Sequence, residues 1–551
     1  MQNSEMKTGG QLLVESLVIH GVDTVFCVPG ESYLAALDAL RDVQEKVRVV
    51  VCRHEASACH MAEAHGKLTG KPGICFVTRG PGATHASVGI HTARQDSTPL
   101  ILFVGQVERE ISDREGFQEV DFRAMFAPLA KWAAQIDDPA RIPEYVSRAF
   151  HTAVNGRPGP VVLAIPENTL SDTCEAVPTR AYIPAHSGPT AQDLAAMTAL
   201  IEHAERPLLI LGGSGWNEQA CADIRAFAEA FDLPTLVTFR RQDVFDNRHH
   251  LYSGVLGLGT SPALTERVKS SDLLVVVGDR LSEAVTNTYS LIELLAPSRK
   301  LVHIHPDPGE LGRVYQSSLP INSGVAGFAG AAAQLKAPAR TATRIEWAKD
   351  LRSDYETLIS LPACDNEMDV SAIVAGLNDI LPDNAIITNG AGAYAAFVHR
   401  YYQYRAYPTQ LAPACGTMGY GLPAAIAAQL AHPHTPVVCF AGDGCFLMSG
   451  VELATAVRYK LPIVIVVINN ESYGSIRMHQ DRRYPGRDFA TDLVNPDFIA
   501  FAKSFGAHGE LVRTTTDFRS AFERALKAEL PTLIEVRLDI ATMLAQSPRR
   551  R

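Results

Sequence analysis

Short apolar runs alternate with stretches of helical spacing along most of the chain. Each run is rich in β-branched residues and bounded by glycine, proline or polar residues, which is typical of a buried parallel strand. The runs that predict strands are 24–28, 49–52, 73–77, 100–104, 160–165, 207–211, 235–238, 273–277, 300–304, 385–387, 436–441, 461–468 and 532–537. Because helical patterns separate these runs, the chain is predicted to form parallel sheets covered by helices.

The alternation breaks twice, and the breaks divide the chain into three predicted domains. Residues 178–189 contain prolines and polar residues, as linkers do. Residues 336–366 are polar with a helical pattern, and we interpret them as a second linker that leads into the last domain. We therefore predict an α/β fold with three doubly wound parallel-sheet domains, over residues 1–177, 190–340 and 367–545.

Composition narrows the class of protein. The chain has 551 residues and a formal net charge of −10 without a basic stripe, which argues against nucleic-acid binding. Its ten cysteines include no Cys-x-x-Cys pair, which predicts reduced thiols. No apolar run reaches the roughly 18 residues that a membrane-spanning helix needs, and the polar N-terminus lacks the apolar core of a signal peptide. We expect a cytoplasmic protein with neither nucleic acid nor membrane as a partner.

Two polar loops follow successive predicted strands in the last domain. The first, with sequence Gly-Asp-Gly, is 442–444, and the second, with sequence Asn-Asn-Glu-Ser-Tyr-Gly, is 469–474. Residues 448–459 between them have helical spacing, with apolar positions on one face. Since the carboxyl ends of parallel strands meet at one edge of a sheet, we expect the two loops to form a ligand site.

The residues of these loops suit a magnesium ion that holds a diphosphate. Asp443 offers a carboxylate and Asn470 an amide oxygen, and Mg²⁺ prefers oxygen ligands together with phosphates and water. The glycines allow close approach of the backbone, and free N–H groups at a helix start favour phosphate. Asp443 alone is equally well explained as a helix cap. The Asn-Asn pair 27 positions later (470 − 443) favours the metal site.

Several segments together resemble the thiamine diphosphate-dependent 2-oxo acid enzymes, and within them the acetolactate synthase-like group. Besides the two loops, the segments that carry the resemblance are 105–107, 117–119, 156–160, 416–423 and 495–498. The resemblance covers nearly the whole chain and implies a pyrimidine-binding, a central and a diphosphate-binding domain. It also implies that Asp443, Asn470 and the backbone carbonyl of Ser472 hold Mg²⁺.

By the same resemblance, Glu55 faces the aminopyrimidine ring of a cofactor that the last domain binds. A carboxyl group in an apolar cleft has a raised pKa, and it then shares a proton with the ring so that the cofactor becomes a carbon nucleophile. Without the resemblance, a glutamate before a helix is more often a cap or a surface charge. Gln118 is implied to line the substrate side, and Met418 to hold the cofactor in its bent shape.

A larger set of cofactor contacts follows from the resemblance. The residues implied to bind the cofactor are Gly30, Glu55, Gly392, Ala393, Tyr394, Gly416, Met418, Gly442, Asp443, Gly444, Cys445, Asn470, Ser472, Tyr473 and Gly474. Cys445 stands where many relatives have serine, and its backbone N–H is still able to serve a phosphate.

Three residues depart from the acetolactate synthase pattern. Glu31 stands where those enzymes have a small residue and pyruvate decarboxylase-type enzymes have an aspartate. It is either a proton donor that leads to aldehyde release or a cap of the helix 32–40. His479 takes the place of a tryptophan that helps to select the second substrate, and it is either an acid–base or substrate-contacting group or polar surface on a loop. Glu167 replaces a lysine.

We predict an enzyme that uses thiamine diphosphate and Mg²⁺ to decarboxylate a 2-oxo acid and to transfer the acyl carbanion to a second carbonyl. Two alternatives stay open. One is a non-ligating decarboxylase or carbon–carbon lyase that releases an aldehyde, and the other is a non-catalytic thiamine-binding regulatory protein. We do not expect FAD, although Arg280 lies roughly where relatives contact a flavin. The family implies a homodimer or homotetramer with active sites between subunits.

Overall fold

The computed structural model describes residues 6–176, 179–295, 298–337, 339, 341–364 and 366–546. The N-terminal residues form the strands β1 (Met6–Thr8), β2 (Thr24–Cys27), β3 (Arg48–Val51), β4 (Gly73–Val77), β5 (Leu100–Gln106), β6 (Trp132–Gln135), β7 (Pro160–Pro166) and β8 (Thr173–Glu175). Their helices are α1 (Gly9–Ile19), α2 (Leu34–Asp42), α3 (Glu55–Thr69), α4 (Pro81–Asp96), α5 (Phe122–Phe126), α6 (Ile142–Val154) and α7 (Glu167–Ser171).

The first six-stranded sheet is parallel and has the order β3-β2-β4-β5-β7-β6, while β1 and β8 form a separate antiparallel pair. The order reverses between β2 and β4, which makes the crevice at their carboxyl ends the switch point of the sheet. Strand β4 is buried along its whole length, as its continuous apolar run predicts.

The central part of the chain forms a second six-stranded parallel sheet in the order β11-β10-β9-β12-β13-β14. Its strands are β9 (Pro207–Leu211), β10 (Thr235–Thr238), β11 (Tyr252–Leu256), β12 (Leu273–Val277), β13 (Lys300–His305) and β14 (Leu319–Asn322). Its helices are α8 (Ala191–His203), α9 (Glu218–Phe231), α10 (Pro262–Ser270), α11 (Val325–Ala332) and α12 (Ala342–Ile359). Alternate residues of β9 pack into two different apolar cores, because successive side chains of a strand point to opposite faces.

The C-terminal part forms a third six-stranded parallel sheet in the order β16-β15-β17-β18-β20-β19. Its strands are β15 (Ile386–Asn389), β16 (Gln410–Leu411), β17 (Val437–Gly442), β18 (Val464–Asn469), β19 (His508–Val512) and β20 (Thr532–Arg537). Its helices are α13 (Val370–Ile380), α14 (Ala395–Tyr401), α15 (Gly421–Ala431), α16 (Asp443–Leu447), α17 (Leu453–Arg458), α18 (Gly474–Arg483), α19 (Phe498–Ser504), α20 (Thr515–Ala525) and α21 (Ile540–Gln546).

The predicted fold class is confirmed, and the strands that the apolar runs missed lie mostly at sheet edges. They are the edge strands β6, β11, β14, β16 and β19 of the three large sheets, together with the separate pair β1 and β8. An edge strand pairs on one side only and carries polar or small residues that avoid further pairing, so its pattern is weak. In β6, for example, the sequence is Trp-Ala-Ala-Gln and every residue is only half-buried.

Two local expectations need correction. The helical spacing over 448–459 predicts one helix, but the structure has α16, a 3₁₀ turn at Gly450–Glu452 and then α17. Glycine at position 450 interrupts the helix there. The predicted linker 336–366 contains the long helix α12, which packs its buried residues against the central sheet. Residue 178, the first of the predicted linker, lies outside the described part of the chain, as do residue 177 and the C-terminal residues 547–551.

Contacts divide the described chain into two units. The first comprises residues up to Ala185 together with Leu422–His432 and Ser449–Leu461. The second comprises the remainder, which holds the central and the C-terminal sheets. The predicted domain boundaries stay predictions. Within the described ranges, no helix combines the length and the apolar character that crossing a membrane requires.

Candidate active site

In the first unit, the predicted residues gather at the switch point of the first sheet. Gly30 follows β2 and lies against the loop that follows β4, because a Cβ atom at position 30 would be 2.4 Å from the Cβ of Thr78. The Ser32 hydroxyl lies 2.9 Å from the Thr78 hydroxyl, which ties the two loops together. Glycine at position 30 is therefore required by close approach of the backbone.

Glu55 is the first residue of α3, and His54 caps that helix. The Nδ1 atom of His54 accepts a hydrogen bond of 3.1 Å from the backbone N–H of Ala56. The Oε2 atom of Glu55 lies 3.0 Å from Nδ1 of His85, whose ring stacks on His54 with centroids 4.6 Å apart. The Glu55 side chain is 14% exposed and that of His85 is 52% exposed. His85 thus lies between the carboxylate and solvent, a contact that the sequence did not suggest.

Gln118 and Glu55 approach the same turn from different elements. Gln118 has a φ of +65° and packs on Gly80. A Cβ atom added at Gly80 would lie 2.8 Å from the Cβ atom of Gln118. The Oε1 atom of Glu55 faces Gly82, where a Cβ atom would lie 3.5 Å away. The turn that follows β4 therefore lies between the predicted proton-transfer group and the predicted substrate-side group.

The residues that depart from the acetolactate synthase pattern have different surroundings. Glu31 opens the 3₁₀ turn Glu31–Tyr33, is exposed and makes no side-chain cap bond to this turn or to α2. Glu167 instead pairs with Arg79 at 3.2 Å, beside the loop that follows β4. His479 lies on α18, exposed to solvent, and not on a loop as the sequence suggested. A helix forms there because Gly474–Arg483 contains no proline or internal glycine to stop it.

In the second unit, Asp443 begins α16 directly after β17 and is 2% exposed. Its Oδ1 accepts a hydrogen bond of 2.9 Å from the Gly444 N–H, and its Oδ2 accepts one of 2.8 Å from Nδ2 of Asn495. Burial raises the pKa of Asp443 above its ordinary value, against the opposing effect of these hydrogen bonds. Burial of a charged carboxylate among uncharged donors costs free energy, and a bound cation would compensate this cost.

The second loop presents oxygen atoms beside this carboxylate. Asn470 accepts a hydrogen bond of 3.1 Å from the Ser472 N–H with Oδ1, and its Nδ2 contacts Sδ of Met543. The Ser472 backbone carbonyl accepts a bond of 2.8 Å from the Gly474 N–H. Strands β17 and β18 are neighbours, which brings the loops together at one sheet edge. The expected proximity of the two loops is thereby observed.

Asn495 links the two loops and was not among the predicted site residues. Its Nδ2 donates to Oδ2 of Asp443 at 2.8 Å and to Oδ1 of Asn469 at 3.0 Å. Its own Oδ1 is buried without a hydrogen-bond partner among the described residues. In the sequence, the segment 495–498 carries only the family resemblance, because an asparagine before a proline has no ligand signal of its own.

Glycines let two tyrosine rings pack directly on the backbone of the Asp443 loop. A Cβ atom at Gly442 would lie 3.0 Å from the Tyr394 ring, and one at Gly444 would lie 2.7 Å from the Tyr473 ring. Tyr394 is buried and its hydroxyl hydrogen-bonds to Sγ of Cys445 at 3.4 Å. Ala393 is buried beside it in the same apolar core. Glycine is required at positions 442 and 444 because a side chain there would collide with these rings.

The pyrimidine-side segment lies before α15. Gly416 has a φ of +73°, with no described atom within 4 Å of where a Cβ would lie. Met418 is partly buried and packs against the C-terminal core, and the Gly419 N–H donates to Sγ of Cys445 at 3.3 Å. Gly392 has a φ of +159°, close to extended backbone, and a Cβ there would lie 2.6 Å from the Tyr394 ring. Gly419 and Gly392 thus contact Cys445 and Tyr394, and Met418 packs on the apolar core that contains both side chains.

The donor set of the second unit fits a hard cation with a phosphate. It combines a buried carboxylate, an amide oxygen and a backbone carbonyl, and the Asn495 oxygen beside them has no hydrogen-bond partner among the residues that the structure describes. A second place with possible metal ligands lies in the first unit. There, among the described residues, ligand atoms of His54, Glu55 and His85 lie close enough together to bind one ion.

Comparison with known families identifies the fold. Models of thiamine pyrophosphate enzymes match the chain in three places: the N-terminal binding domain over residues 7–125, the central domain over 194–332 and the C-terminal binding domain over 390–536. The acetolactate synthase large subunit of Parasynechococcus marenigrum is 34% identical over 96% of this chain and 87% of that protein. The chain belongs to the thiamine pyrophosphate-dependent, acetolactate synthase-like family.

Other relatives cover the chain to the same extent. The acetolactate synthase isozyme 1 large subunit of Escherichia coli is 33% identical over 97% of the chain and 94% of that protein. The probable acetolactate synthase large subunit of Methanocaldococcus jannaschii is 30% identical over 98% and 93%. The family and enzyme predictions are confirmed: this chain is a thiamine diphosphate-dependent enzyme of the carboligase and decarboxylase type. The individual site residues stay predictions.

Proposed function

We propose that this enzyme decarboxylates a 2-oxo acid and transfers the resulting acyl group to a second carbonyl compound. The observation that carries the proposal is the buried carboxylate of Asp443, held by uncharged donors beside the Asn470 amide at the ends of two neighbouring strands. The names of the relatives, which are acetolactate synthases, support the carboligase over other thiamine-dependent reactions.

Asp443, Asn470 and the Ser472 carbonyl would hold Mg²⁺, and the glycines around them would admit the diphosphate. When bound, thiamine diphosphate supplies a carbon nucleophile that stabilises the electron pair left after loss of CO₂. Asn495 keeps the Asp443 carboxylate oriented through its 2.8 Å hydrogen bond. Orientation of a metal-binding carboxylate by such a neighbour is a general requirement of metal sites.

Glu55 would exchange a proton with the aminopyrimidine of the cofactor. Its two oxygens have separate surroundings, since Oε2 contacts His85 while Oε1 faces the turn at Gly82. One oxygen is thus available to the cofactor while the other keeps its contact with a partly exposed imidazole. Gln118, packed on the same turn, would contact the substrate.

We further propose that the active form contains two or four copies of the chain, with Glu55 of one copy and Asp443 of another at each site. The relatives are named as large subunits, which supports an assembled enzyme. A closed symmetric dimer or tetramer is the common arrangement of such proteins. A cytoplasmic location and the absence of a nucleic-acid partner stay predictions from the sequence.

Product analysis with a matched pair of variants tests the proposal. The purified protein, supplied with thiamine diphosphate, Mg²⁺ and pyruvate or another 2-oxo acid, is expected to release CO₂ and form a carbon–carbon bonded product. Glu55→Gln keeps the shape of the side chain but removes the carboxyl proton, and we expect turnover to fall by about 10²-fold or more. Full turnover of this variant would refute the assigned role of Glu55.

A second function is favoured by one observation, the exposed Glu31 carboxylate at the end of β2, next to Gly30. A free carboxyl at this position suits a proton donor that would lead to aldehyde release in place of ligation. Free aldehyde without a ligated product would support this decarboxylase or lyase. In that case Glu31→Gln should divert the reaction away from the aldehyde, whereas a carboligase should keep its product distribution.

A further inference from the structure

We propose that Glu452 is a positioning residue that holds the loop before Glu55 in its active conformation. The proposal rests on the proposed function, because it assumes that Glu55 performs the proton exchange. Glu452 follows Asp443 by nine positions (452 − 443), yet its side chain lies in the first unit, within the segment Ser449–Leu461.

The carboxylate of Glu452 binds the two residues that immediately precede Glu55. Its Oε1 accepts hydrogen bonds from the backbone N–H of Arg53 at 3.1 Å and of His54 at 3.0 Å. Its Oε2 accepts one of 2.6 Å from the Thr455 hydroxyl and a longer one of 3.3 Å from the Arg53 N–H. The residue is fully buried, with 0% exposure. Both oxygens are thus occupied by fixed donors.

The loop needs such a support because it leaves an edge strand. Strand β3 pairs with β2 on one side only, so the backbone groups of its other side and of the following loop have no neighbouring strand. The hydroxyl of Tyr459 accepts a bond of 2.9 Å from the Val51 N–H and donates one of 3.2 Å to the Val49 carbonyl. The segment 449–461 therefore replaces a strand along the free edge.

These contacts determine where α3 begins. Arg53 and His54 carry the chain from β3 into the cap of α3, and Glu55 is the first residue of that helix. When both N–H groups are held, His54 is fixed in the extended conformation of the cap, and the Glu55 backbone follows directly. A shift of about 1 Å in a group that transfers a proton is enough to lower a rate by about 10²-fold.

Neutral donors hold the Glu452 carboxylate. They are the backbone N–H groups of Arg53 and His54 and the hydroxyls of Thr455 and Ser57, and burial raises the pKa of Glu452 above its ordinary value. Burying a carboxylate has a free-energy cost that an apolar residue at this position would avoid. Removing the carboxylate would leave the two N–H groups without this partner, and we expect the loop to move as a result.

The first test uses the cofactor-free protein. Backbone hydrogen exchange of the segment 52–56 is compared between the wild type, Glu452→Ala and Glu452→Gln. We expect exchange at Arg53 and His54 to rise by about tenfold or more in Glu452→Ala. In Glu452→Gln it should stay within about threefold of wild type, because the amide oxygen still accepts both bonds and its NH₂ donates to Thr455.

The second test uses the loaded enzyme and measures the deuterium exchange of the C2 proton of thiamine diphosphate without substrate. We expect Glu452→Ala to slow this exchange by about tenfold or more while cofactor affinity stays within about threefold. Glu452→Gln should restore it. Glu63→Gln is the matched control, since Glu63 is a fully buried carboxylate of α3 that accepts from the Thr98 hydroxyl and pairs with Lys67, and that makes no contact with the loop before Glu55 among the described residues.

The outcomes separate this proposal from the proposed function. If Glu55→Gln abolishes C2 exchange but Glu452→Ala leaves it within about twofold of wild type, Glu452 does not position the loop and only this proposal fails. If Glu55→Gln also keeps full exchange, the proposed function itself fails. Should Glu452→Ala not fold, Glu452→Asp replaces it, because a side chain shorter by one methylene cannot hold both N–H groups, and unchanged exchange in it contradicts the proposal.

Discussion

At the scale of single residues, the geometry distinguishes groups that looked alike in the sequence. Asp443, Glu55 and Glu31 are all acidic residues that follow a predicted strand within three positions. Asp443 is buried with a raised pKa, Glu55 contacts an imidazole, and Glu31 is exposed. The burial of Asp443 without a charged partner is unfavourable unless a cation compensates it, whereas Glu55 and Glu31 are more exposed.

The hydrogen bonds of Asn495 lead to a prediction for metal affinity. Asn495→Ala removes the 2.8 Å bond to Asp443 and the 3.0 Å bond to Asn469. We expect the affinity for Mg²⁺ in the presence of thiamine diphosphate to fall by about 10- to 100-fold, as with other residues that orient metal ligands. Cofactor binding followed by tryptophan fluorescence or by calorimetry measures this.

The control for that variant is Asn217→Ala, which removes an asparagine of the same unit that caps α9. This change should lower the free energy of unfolding by about 1 kcal/mol without affecting the affinity for Mg²⁺. An equal loss of affinity in both variants would mean that Asn495 acts through general stability.

At the scale of elements, close contact between helices and strands sets the dimensions of the first unit. Helix α3, which begins with Glu55, crosses β4 so closely that a Cβ atom at Gly73 would lie 1.8 Å from the Ala62 carbonyl oxygen. The position of Glu55 therefore depends on a glycine eighteen residues later (73 − 55). In the sequence, Gly73 is recognisable only as the first residue of an apolar run.

Gly73→Ala tests this contact. The added methyl group meets backbone atoms, which cannot move aside as a flexible side chain can, and we expect a loss of about 2–3 kcal/mol in the free energy of unfolding. Gly376→Ala is the contrasting variant. Gly376 lies inside α13 with no atom of a described residue within 4 Å of the added Cβ.

Gly376→Ala should stabilise the protein by about 0.5–1 kcal/mol, because alanine loses less backbone entropy in a helix. Thermal denaturation followed by circular dichroism distinguishes the two variants. If both lower the melting temperature equally, steric contact is not what makes glycine necessary at position 73.

At the scale of the whole molecule, buried histidines make folding sensitive to acid. Burial lowers the pKa of His20, His60 and His305 to about 4. In the unfolded chain these imidazoles take up protons as the pH falls through about 6.5, whereas in the folded protein they stay neutral down to about 4. Their contribution is therefore fully present above pH 6.5 and is lost as the pH falls from about 6.5 to about 4.

His20→Gln should reduce this sensitivity. The Gln amide oxygen is able to accept the 3.0 Å bond that His20 Nδ1 accepts from the Tyr182 N–H, but it takes up no proton. Between pH 7 and pH 5, we expect the free energy of unfolding of the variant to fall by on the order of 1–3 kcal/mol less than that of the wild type. The melting temperature measured across this pH range should fall less steeply as a result. His434→Gln changes an exposed histidine and should leave the slope unaltered.

The expectation that the central domain binds no flavin stays a prediction from the sequence. The turn after β9 lies against the turn after β12, since a Cβ atom at Gly213 would lie 1.9 Å from the Gly278 carbonyl oxygen. These two turns meet at the switch point, which is where a sheet with this strand order holds a dinucleotide. We expect the purified protein to lack flavin absorbance in the visible range, and stoichiometric yellow colour would contradict this.

The sequence by itself determined the three parallel sheets, their buried strands and the two loops that present Asp443 and Asn470. These features are local, because the period of apolar residues and the turn formers at strand ends are written in consecutive positions. Most edge strands escaped prediction because a strand paired on one side often lacks a continuous apolar run, whereas the edge strand β3 has such a run and was predicted.

Only the tertiary structure decided which distant residues act together. Asn495 reaches Asp443 across 52 positions, His85 reaches Glu55 across 30, and Glu452 reaches His54 across 398. Hydrogen bonds between groups so far apart in sequence leave no periodic trace in either segment, since their geometry depends on the order of strands within each sheet and on the elements packed along its edge.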